Sequence, residues 1–355
     1  MRARWVAAAF AGAGAAALSI AACVYDIPPL ANVDAGHDGG DATDDTDAAM
    51  FDESVVTLAT GQANAFEIAV DSTNVYWTTT QADGSVMKCA ISGCDDAPTA
   101  IATNQEFPWG IALDDAGGIY WTNGGASDAA TGAVMRCDIA ACAGGPTVVA
   151  SSQAHPGGIA LDSTRVYWAN SGLDGGGSIE SCPLVGCDAD GGVAFASSVD
   201  EGFGYVALDS TYVYWSGLGD VYACGKGGCD AATTLGSGEH DVDSLVAAGG
   251  GAYWTVWKIS PTTDNRTALL SCPAAGCASP NVIAAQPGGD ELWGLALDST
   301  NAYWSDIATQ SIMTCAVAAC TPTVVTKHFG YYLAVDSTSV YWTNYADGAI
   351  MRTPK

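Results

Sequence analysis

The chain has 355 residues and carries 39 acidic against 11 basic ones, a net charge of −28. That balance speaks against nucleic acid as a partner, because phosphate binding needs clustered Lys and Arg. With 49% hydrophobic and 14% charged residues, the acidity marks a solubilising, anion-repelling surface around a large core.

Met1 to Ala22 reads as a secretory signal peptide, with Arg2 and Arg4 ahead of the apolar, alanine-rich stretch Trp5 to Ile20. It runs into Ile20-Ala21-Ala22-Cys23, which resembles the lipobox of bacterial lipoproteins. The resemblance implies lipidation of Cys23 and a membrane partner reached through acyl chains, which hold better in twos and threes than singly. Val24, where an Asp would signal retention, is similar to lipoproteins sent to the outer membrane of a Gram-negative cell envelope. Residues 23–53 then form an acidic tether. Val33 to Asp47 holds no Lys or Arg and little to bury, so disorder is expected. Its Asp residues lack the glycine and closing Glu of a calcium loop. About 30 flexible residues span about 30 Å, enough to stand the folded part off a membrane.

From residue 54 onward the chain is a repeat. The doublet Tyr-Trp returns seven times, at Trp77, Trp121, Trp168, Trp215, Trp254, Trp304 and Trp342, at intervals of 38 to 50 residues. The fuller phrase is Gly158-Ile-Ala-Leu-Asp-Ser-Thr-Arg-Val-Tyr-Trp168. Such a period marks an array of identical supersecondary units. In the second unit Trp109–Asp114 predicts a strand A and Ile119–Thr122 a strand B. Ala133–Cys137 and Pro146–Ala150 predict strands C and D. Four antiparallel strands repeated radially predict an all-β, seven-bladed β-propeller over residues 54–355. A blade lies between two neighbours, so both faces of its inner strands are buried. Tyr and Trp, pointing to opposite faces, fill both gaps. The seventh unit stops after strand C, Ala349–Arg352, and Ser54–Ala59 matches the missing strand D. The N-terminal strand is therefore expected to close the ring and cover a sheet edge. In the fifth unit Ala247-Ala-Gly-Gly-Gly-Ala252 replaces Leu-Asp-Ser-Thr, which leaves that A–B turn undefined.

Twelve of thirteen cysteines form equally spaced pairs at the C–D turns. Cys89 goes with Cys94, Cys137 with Cys142, Cys182 with Cys187, Cys224 with Cys229, Cys272 with Cys277 and Cys315 with Cys320. Residues flanking a four-residue hairpin loop lie about 4.5–5.5 Å apart, within reach of a disulfide. Separate pairs lack the further ligands of a tetrahedral zinc site. Six disulfides are expected, worth roughly 2 kcal/mol each in the chain-entropy model. In the seventh unit Thr353 stands where the first Cys would be. Asp71, Asp162, Asp209, Asp298 and Asp336 recur too regularly for catalysis and predict turn caps.

The Leu-Asp and Tyr-Trp-Thr phrases resemble the YWTD repeats of receptor ectodomains and the related NHL-type propellers. Only Trp304-Ser305-Asp306 keeps the Asp of that motif. The resemblance implies a propeller used as a rigid binding platform.

No Gly-x-Ser-x-Gly, HExxH or phosphate-binding loop occurs, and no cofactor is expected. What varies between units is the D–A connection, at one mouth of the central channel. There stand Glu106, Trp109, His155, Glu201, Phe203, His240, Asp241, Glu291, Trp293, His328, Phe329 and Tyr331. Phe107-Pro108-Trp109-Gly110 and Glu291-Leu292-Trp293-Gly294 share one pattern. An aromatic and acidic collar with three imidazoles suits a small ligand or a cation, and more broadly a glycan or a protein segment. A monomeric, lipid-anchored binding module is therefore expected, with no catalytic or metal-ligating set assigned. The alternative is a metal-dependent lyase or hydrolase. Streptogramin-lyase-type propellers look similar, and His240 and His328 with Glu201 or Glu291 would then imitate their ion site.

Overall fold

Each repeat forms a four-stranded antiparallel sheet whose strands lie side by side in chain order, and seven such sheets make up the ring. The computed structural model describes residues 54–125, 130–140, 142–172, 176–187, 191–199, 204–217, 219–238, 240–258, 266–287 and 292–355. The signal peptide, Cys23, the tether, Glu201, Phe203 and Glu291 lie outside these residues. The innermost strands, A, are Ala65–Val70, Pro108–Leu113, Pro156–Leu161, Val206–Leu208, His240–Ala248, Leu292–Leu297 and Tyr332–Val335. Each A strand contacts the A strands on either side, so the ring is continuous. The last blade runs Val56–Ala59, Ala349–Pro354, Ser339–Asn344, Tyr332–Val335, with Val56 opposite Arg352 and Thr57 opposite Met351. The N-terminal strand thus supplies strand D of the seventh blade, as the repeat count requires.

The doublet explains why the blades hold. Val75 to Thr79 of the first strand B are buried without a break, whereas its outer strand Thr99–Gln105 is largely exposed. Every Tyr shares a core cluster with the Trp of the following blade. The pairs are Tyr76 with Trp121, Tyr120 with Trp168, Tyr167 with Trp215, Tyr214 with Trp254, Tyr253 with Trp304 and Tyr303 with Trp342. Tyr341 with Trp77 closes the circle. Each such aromatic buries roughly 150–250 Å², about 4–6 kcal/mol of gross hydrophobic stabilisation.

The recurring Asp does more than cap a turn. Asp71 Oδ1 accepts the Thr73 and Asn74 N–H groups, as expected of a turn cap, while its Oδ2 accepts the Tyr76 hydroxyl at 2.7 Å. The same bond joins Tyr214 to Asp209, Tyr303 to Asp298 and Tyr341 to Asp336, at 2.6, 2.9 and 2.8 Å. In the third blade Asp162 Oδ2 instead takes the Lys226 ammonium at 2.8 Å. Burial first, then the Asp336 carboxylate, push the Tyr341 hydroxyl up to about 12. In the fifth blade Gly249 and Gly250, at φ +61° and +83°, make a two-residue hairpin between Ala248 and Gly251. That turn needs left-handed backbone at both places and so needs no Asp.

All six disulfides are present, joining Cys89 to Cys94, Cys137 to Cys142, Cys182 to Cys187, Cys224 to Cys229, Cys272 to Cys277 and Cys315 to Cys320. Their Cα atoms lie 5.0–5.9 Å apart. The expected setting is corrected, however: the pairs do not flank a tight hairpin. The first cysteine of each pair belongs to strand C, while Cys94, Cys142, Cys187, Cys229, Cys277 and Cys320 all lie outside the strands. The reason is a longer connection than four residues. The last C–D pairs are Lys88 with Thr99 in the first blade and Arg136 with Thr147 in the second, so neither cysteine stands opposite its partner in the ladder. The bridge gathers the first part of that connection into a turn, closed in the first blade by Gly93 N–H to Ala90 O at 2.9 Å. Disulfides in this number are those of a chain exported to an oxidising compartment.

Two outcomes check this account. Residues 54–355, denatured without reductant, should release no thiol; release of twelve would mean that no pair is bridged. Tyr341→Phe should cost about 1 kcal/mol in denaturant unfolding at pH 7. Asp336 is held below its ordinary value of 3.8 (against burial) by the Thr338 N–H, the Tyr341 hydroxyl and the Ser339 N–H. Its contribution is therefore complete above that value and is lost as pH falls below it, so the cost of Tyr341→Phe should shrink in acid.

Candidate functional site

The channel mouth is shaped by an irregularity at the start of strand A. In the first blade Ala65 pairs with Thr79 and Ile68 with Trp77, so Phe66 and Glu67 together face Thr78. The second, third, fifth and sixth blades carry a shift at the same level, at Trp109-Gly110, Gly157-Gly158, Asp243 and Gly294. Such bulges re-aim side chains at a rim. The residue after the Trp of strand B fixes the bulge. Thr78, Thr122 and Thr343 donate to the carbonyls of Trp109, Gly157 and Phe66 in the next blade at 2.8, 2.7 and 2.9 Å. Thr122 also accepts the Gly110 N–H of its own blade at 3.0 Å.

These contacts crowd the backbones and explain the glycines. A Cβ on Gly110 would come within 2.7 Å of the Gly157 carbonyl, and one on Gly158 within 2.7 Å of the Gly204 carbonyl. Glycine stands there in the second, third and sixth units, while Tyr205, Ser244 and Tyr332 hold the place in the fourth, fifth and seventh. In the first unit Glu67 occupies this position and accepts the Ile111 N–H of the next blade on Oε2 at 3.1 Å.

Glu67 lines a cavity of about 160 Å³ in the centre of the ring. Strand A residues of every blade but the second contribute, among them Ile68, Ile159, Leu245 and Leu295, with Tyr205, Ser244 and Tyr332 as the other polar side chains. Among the described residues lining it, Glu67 alone carries a formal charge. The channel leaves some of the cavity open, yet protein encloses the carboxyl and removes most of its hydration. Burial pushes its carboxyl up to about 7, opposed in part by the Ile111 N–H.

Beside the cavity runs an arc of aromatic rings. Phe66 meets Trp109 edge to face with centroids 4.6 Å apart and Tyr332 at 4.4 Å. Tyr331, next in the chain to Tyr332, contacts Trp293 and Phe329 at 5.0 Å each and Tyr345 at 5.8 Å. The arc thus spans the second, first, seventh and sixth blades.

Of the residues expected at the mouth, Trp109, Trp293 and Tyr331 come together in this arc. Trp109 and Trp293 belong to strand A itself, and so do the backbones of His240 and Asp241, which the sequence placed in connections. The bulge interrupts the apolar alternation and hides where the strand begins. Glu106 is exposed in its loop. His155 is half-buried at φ +54°, in the same position before a proline as Phe107 at φ +51°. Its carbonyl accepts the Ser171 N–H as that of Phe107 accepts Gly124, so loop geometry accounts for the backbone there. His328 Nδ1 lies 3.0 Å from the Thr326 hydroxyl. Among the described residues no three His, Cys, Asp or Glu side chains converge as metal ligands. Sequence reasoning missed Phe66, Glu67, Tyr205, Ser244, Tyr332 and Tyr345. Aligning Phe66-Glu67-Ile68-Ala69 on Trp109-Gly110-Ile111-Ala112 and on the other units would have exposed Glu67 as the one acid in a column otherwise of Gly, Tyr and Ser.

No protein-family model and no curated protein matches the chain. Among solved structures, it is similar to a computationally designed protein, Ika8, with TM-score 0.53 and 12% identity over 84% of this chain and 98% of that one. It is also similar to a chain of a nidogen/laminin complex, with TM-score 0.46 and 16% identity over 77% and 86% of the two chains. At these identities the likeness to the designed protein concerns fold alone.

Glu67→Gln tests the electrostatic account. Unfolded, the carboxyl ionises near 4.5, while the folded protein holds its proton to about 7. The folded pKa is the higher, so wild-type stability should fall relative to the variant as pH rises from about 4.5 to 7. Denaturant midpoints of both proteins at pH 4 and pH 8 measure this, and an equal difference at both would refute a buried, proton-holding Glu67.

Proposed function

We propose that this protein is a monomeric, lipid-anchored binding module of the bacterial cell envelope, presenting the D–A mouth of a rigid propeller to a small ligand, glycan or protein. The observation that carries the proposal is the aromatic arc Trp109, Phe66, Tyr332, Tyr331 and Trp293 beside the channel. Aromatic rings grouped at a concave mouth supply broad contact area at low conformational cost, the composition typical of ligand sites. They also stand where the repeats stop agreeing, and their ring contacts cross from blade to blade, so the packing of the ring holds the arc in place. The lipobox-like Cys23 and the acidic residues 23–53 support display at the end of a tether anchored in the outer membrane. The platform role that YWTD-type resemblance implies agrees with this.

Glycan and peptide arrays probed with residues 54–355 should yield a ligand whose affinity drops at least about tenfold in Trp109→Ala and in Trp293→Ala. Unchanged affinity in both variants would move the site away from this mouth.

A further inference from the structure

We propose that the central cavity accepts the head of an organic ammonium ion, with Glu67 as counter-charge and the rings of Tyr332 and Tyr205 as its cradle. This rests on the D–A mouth being the binding face and specifies the chemistry it selects.

Size comes first. An apolar cavity of about 150 Å³ holds a benzene molecule, so 160 Å³ suits a trimethylammonium-sized group and excludes a bulky one. Polarity comes second. Aliphatic side chains of Ile68, Ile159, Val206, Leu245, Leu295 and Leu333 make part of the lining, and beside Glu67 only Tyr205, Ser244 and Tyr332 present polar side chains to the hydroxyls of a sugar ring. Charge comes third. A carboxylate enclosed in such a lining favours a cation and repels an anion. A bare divalent metal would need six or more oxygen ligands in the case of calcium, whereas one carboxylate contributes to this cavity. A soft, weakly hydrated organic cation needs no such shell. It is stabilised by ring faces and by a single counter-ion, and loses little hydration on entry. Tyr332 lines the cavity and touches Phe66, which touches Trp109, so the cavity continues into the arc. The remainder of a larger ligand would lie along those rings. The alignment of the seven units supports the assignment from another side. Where the backbones of neighbouring blades crowd, the chain places its one acid in the first blade and bonds it to the Ile111 N–H, which fixes the carboxylate's position.

The test is isothermal titration at pH 8, where Glu67 is ionised, of residues 54–355 with choline and with its uncharged isostere 3,3-dimethylbutan-1-ol, on wild type, Glu67→Gln and Asp115→Asn. Choline is expected to bind at least about tenfold tighter than the isostere, and Glu67→Gln to abolish that preference. Asp115→Asn, which alters an exposed acid in the A–B turn of the second blade, should bind choline within about twofold of wild type and serves as a folded control. Equal binding of choline and isostere, or choline affinity untouched by Glu67→Gln, would overturn the inference. No choline binding, together with an array ligand lost in Trp109→Ala, overturns the ammonium assignment and leaves the mouth as the binding face. Glu67-dependent choline binding that both tryptophan variants leave unchanged supports the cavity assignment and removes the arc from the site.

Discussion

The contact on which the molecule depends is the packing of each blade's Tyr against the next blade's Trp. Because neighbouring side chains on a strand point to opposite faces, one dipeptide serves two interfaces, and seven dipeptides serve a ring with no free end. Open arrays of repeats need special terminal units to cover their last faces. Here Tyr341 reaching Trp77 makes such units unnecessary. The remaining weak point is the seam between first and last units. Strand Val56–Ala59 spans it by lying on Ala349–Pro354, and Ser54 bonds Thr353 at 2.9 Å on the same edge.

The dipeptide also sets the channel geometry. Strand B is fixed by its buried aromatics, and the residue after the Trp sits at the level of the strand A bulge. Through Thr78, Thr122 and Thr343 that level is tied to the bulge carbonyl of the following blade. The link is absent at Thr255 and Ser305, whose hydroxyls are buried without a hydrogen bond, and where Ala169 replaces the Thr of the third blade. There Gly158 N–H reaches the Gly204 carbonyl directly at 3.0 Å. Residues at the bulge therefore inherit the rigidity of the core while facing the channel, and a binding constellation needs that combination.

What the sequence disclosed follows from how often each feature recurs. The period, the doublet, the cysteine pairs and the capping Asp appear in most units because every interface or turn poses the same problem. The Asp–Tyr bond was harder to see: five residues separate Asp71 from Tyr76, a distance that suggests nothing until the A–B turn folds it back. The partnership of strand D glutamines with the fourth place of the Tyr-Trp motif was equally hidden. Gln105 meets Asn123, Gln153 meets Asn170 and Gln286 meets Asp306, in each case between strands of one blade. At Asn123 and Asn170 the departure from the YWTD pattern is thus an exchange of one polar partner for another, while Gly217 and Val256 leave no side-chain partner at that place. The site was legible only in part because residue type was a poor guide. Histidines draw attention wherever they fall, yet His155 holds the loop position of Phe107. Glu67 looks ordinary among 39 acids and becomes singular only when the units are aligned.

The contrast between Glu67 and the rest of the acidic surface decides which charge governs entry to the channel. A net charge of −28 invites the view that the whole field draws cations in. At physiological ionic strength, however, the field of an exposed carboxylate decays over about 8 Å. Acids exposed on the outer strands and loops are screened in this way and influence encounter more than occupancy, whereas Asp243, next in the chain to the cavity-lining Ser244, belongs to an inner strand. Glu67 stands among Ile68, Ile159 and Leu295, where little water or salt intervenes, and its interaction with an entering ion is correspondingly strong. The cost of keeping it there appears in the raised carboxyl, which burial holds against the opposing Ile111 hydrogen bond. A cation brought into the cavity would offset that cost, and removing the carboxyl would abolish both the cost and the attraction. Selectivity at the centre of this acidic ring is therefore a property of one residue in one blade.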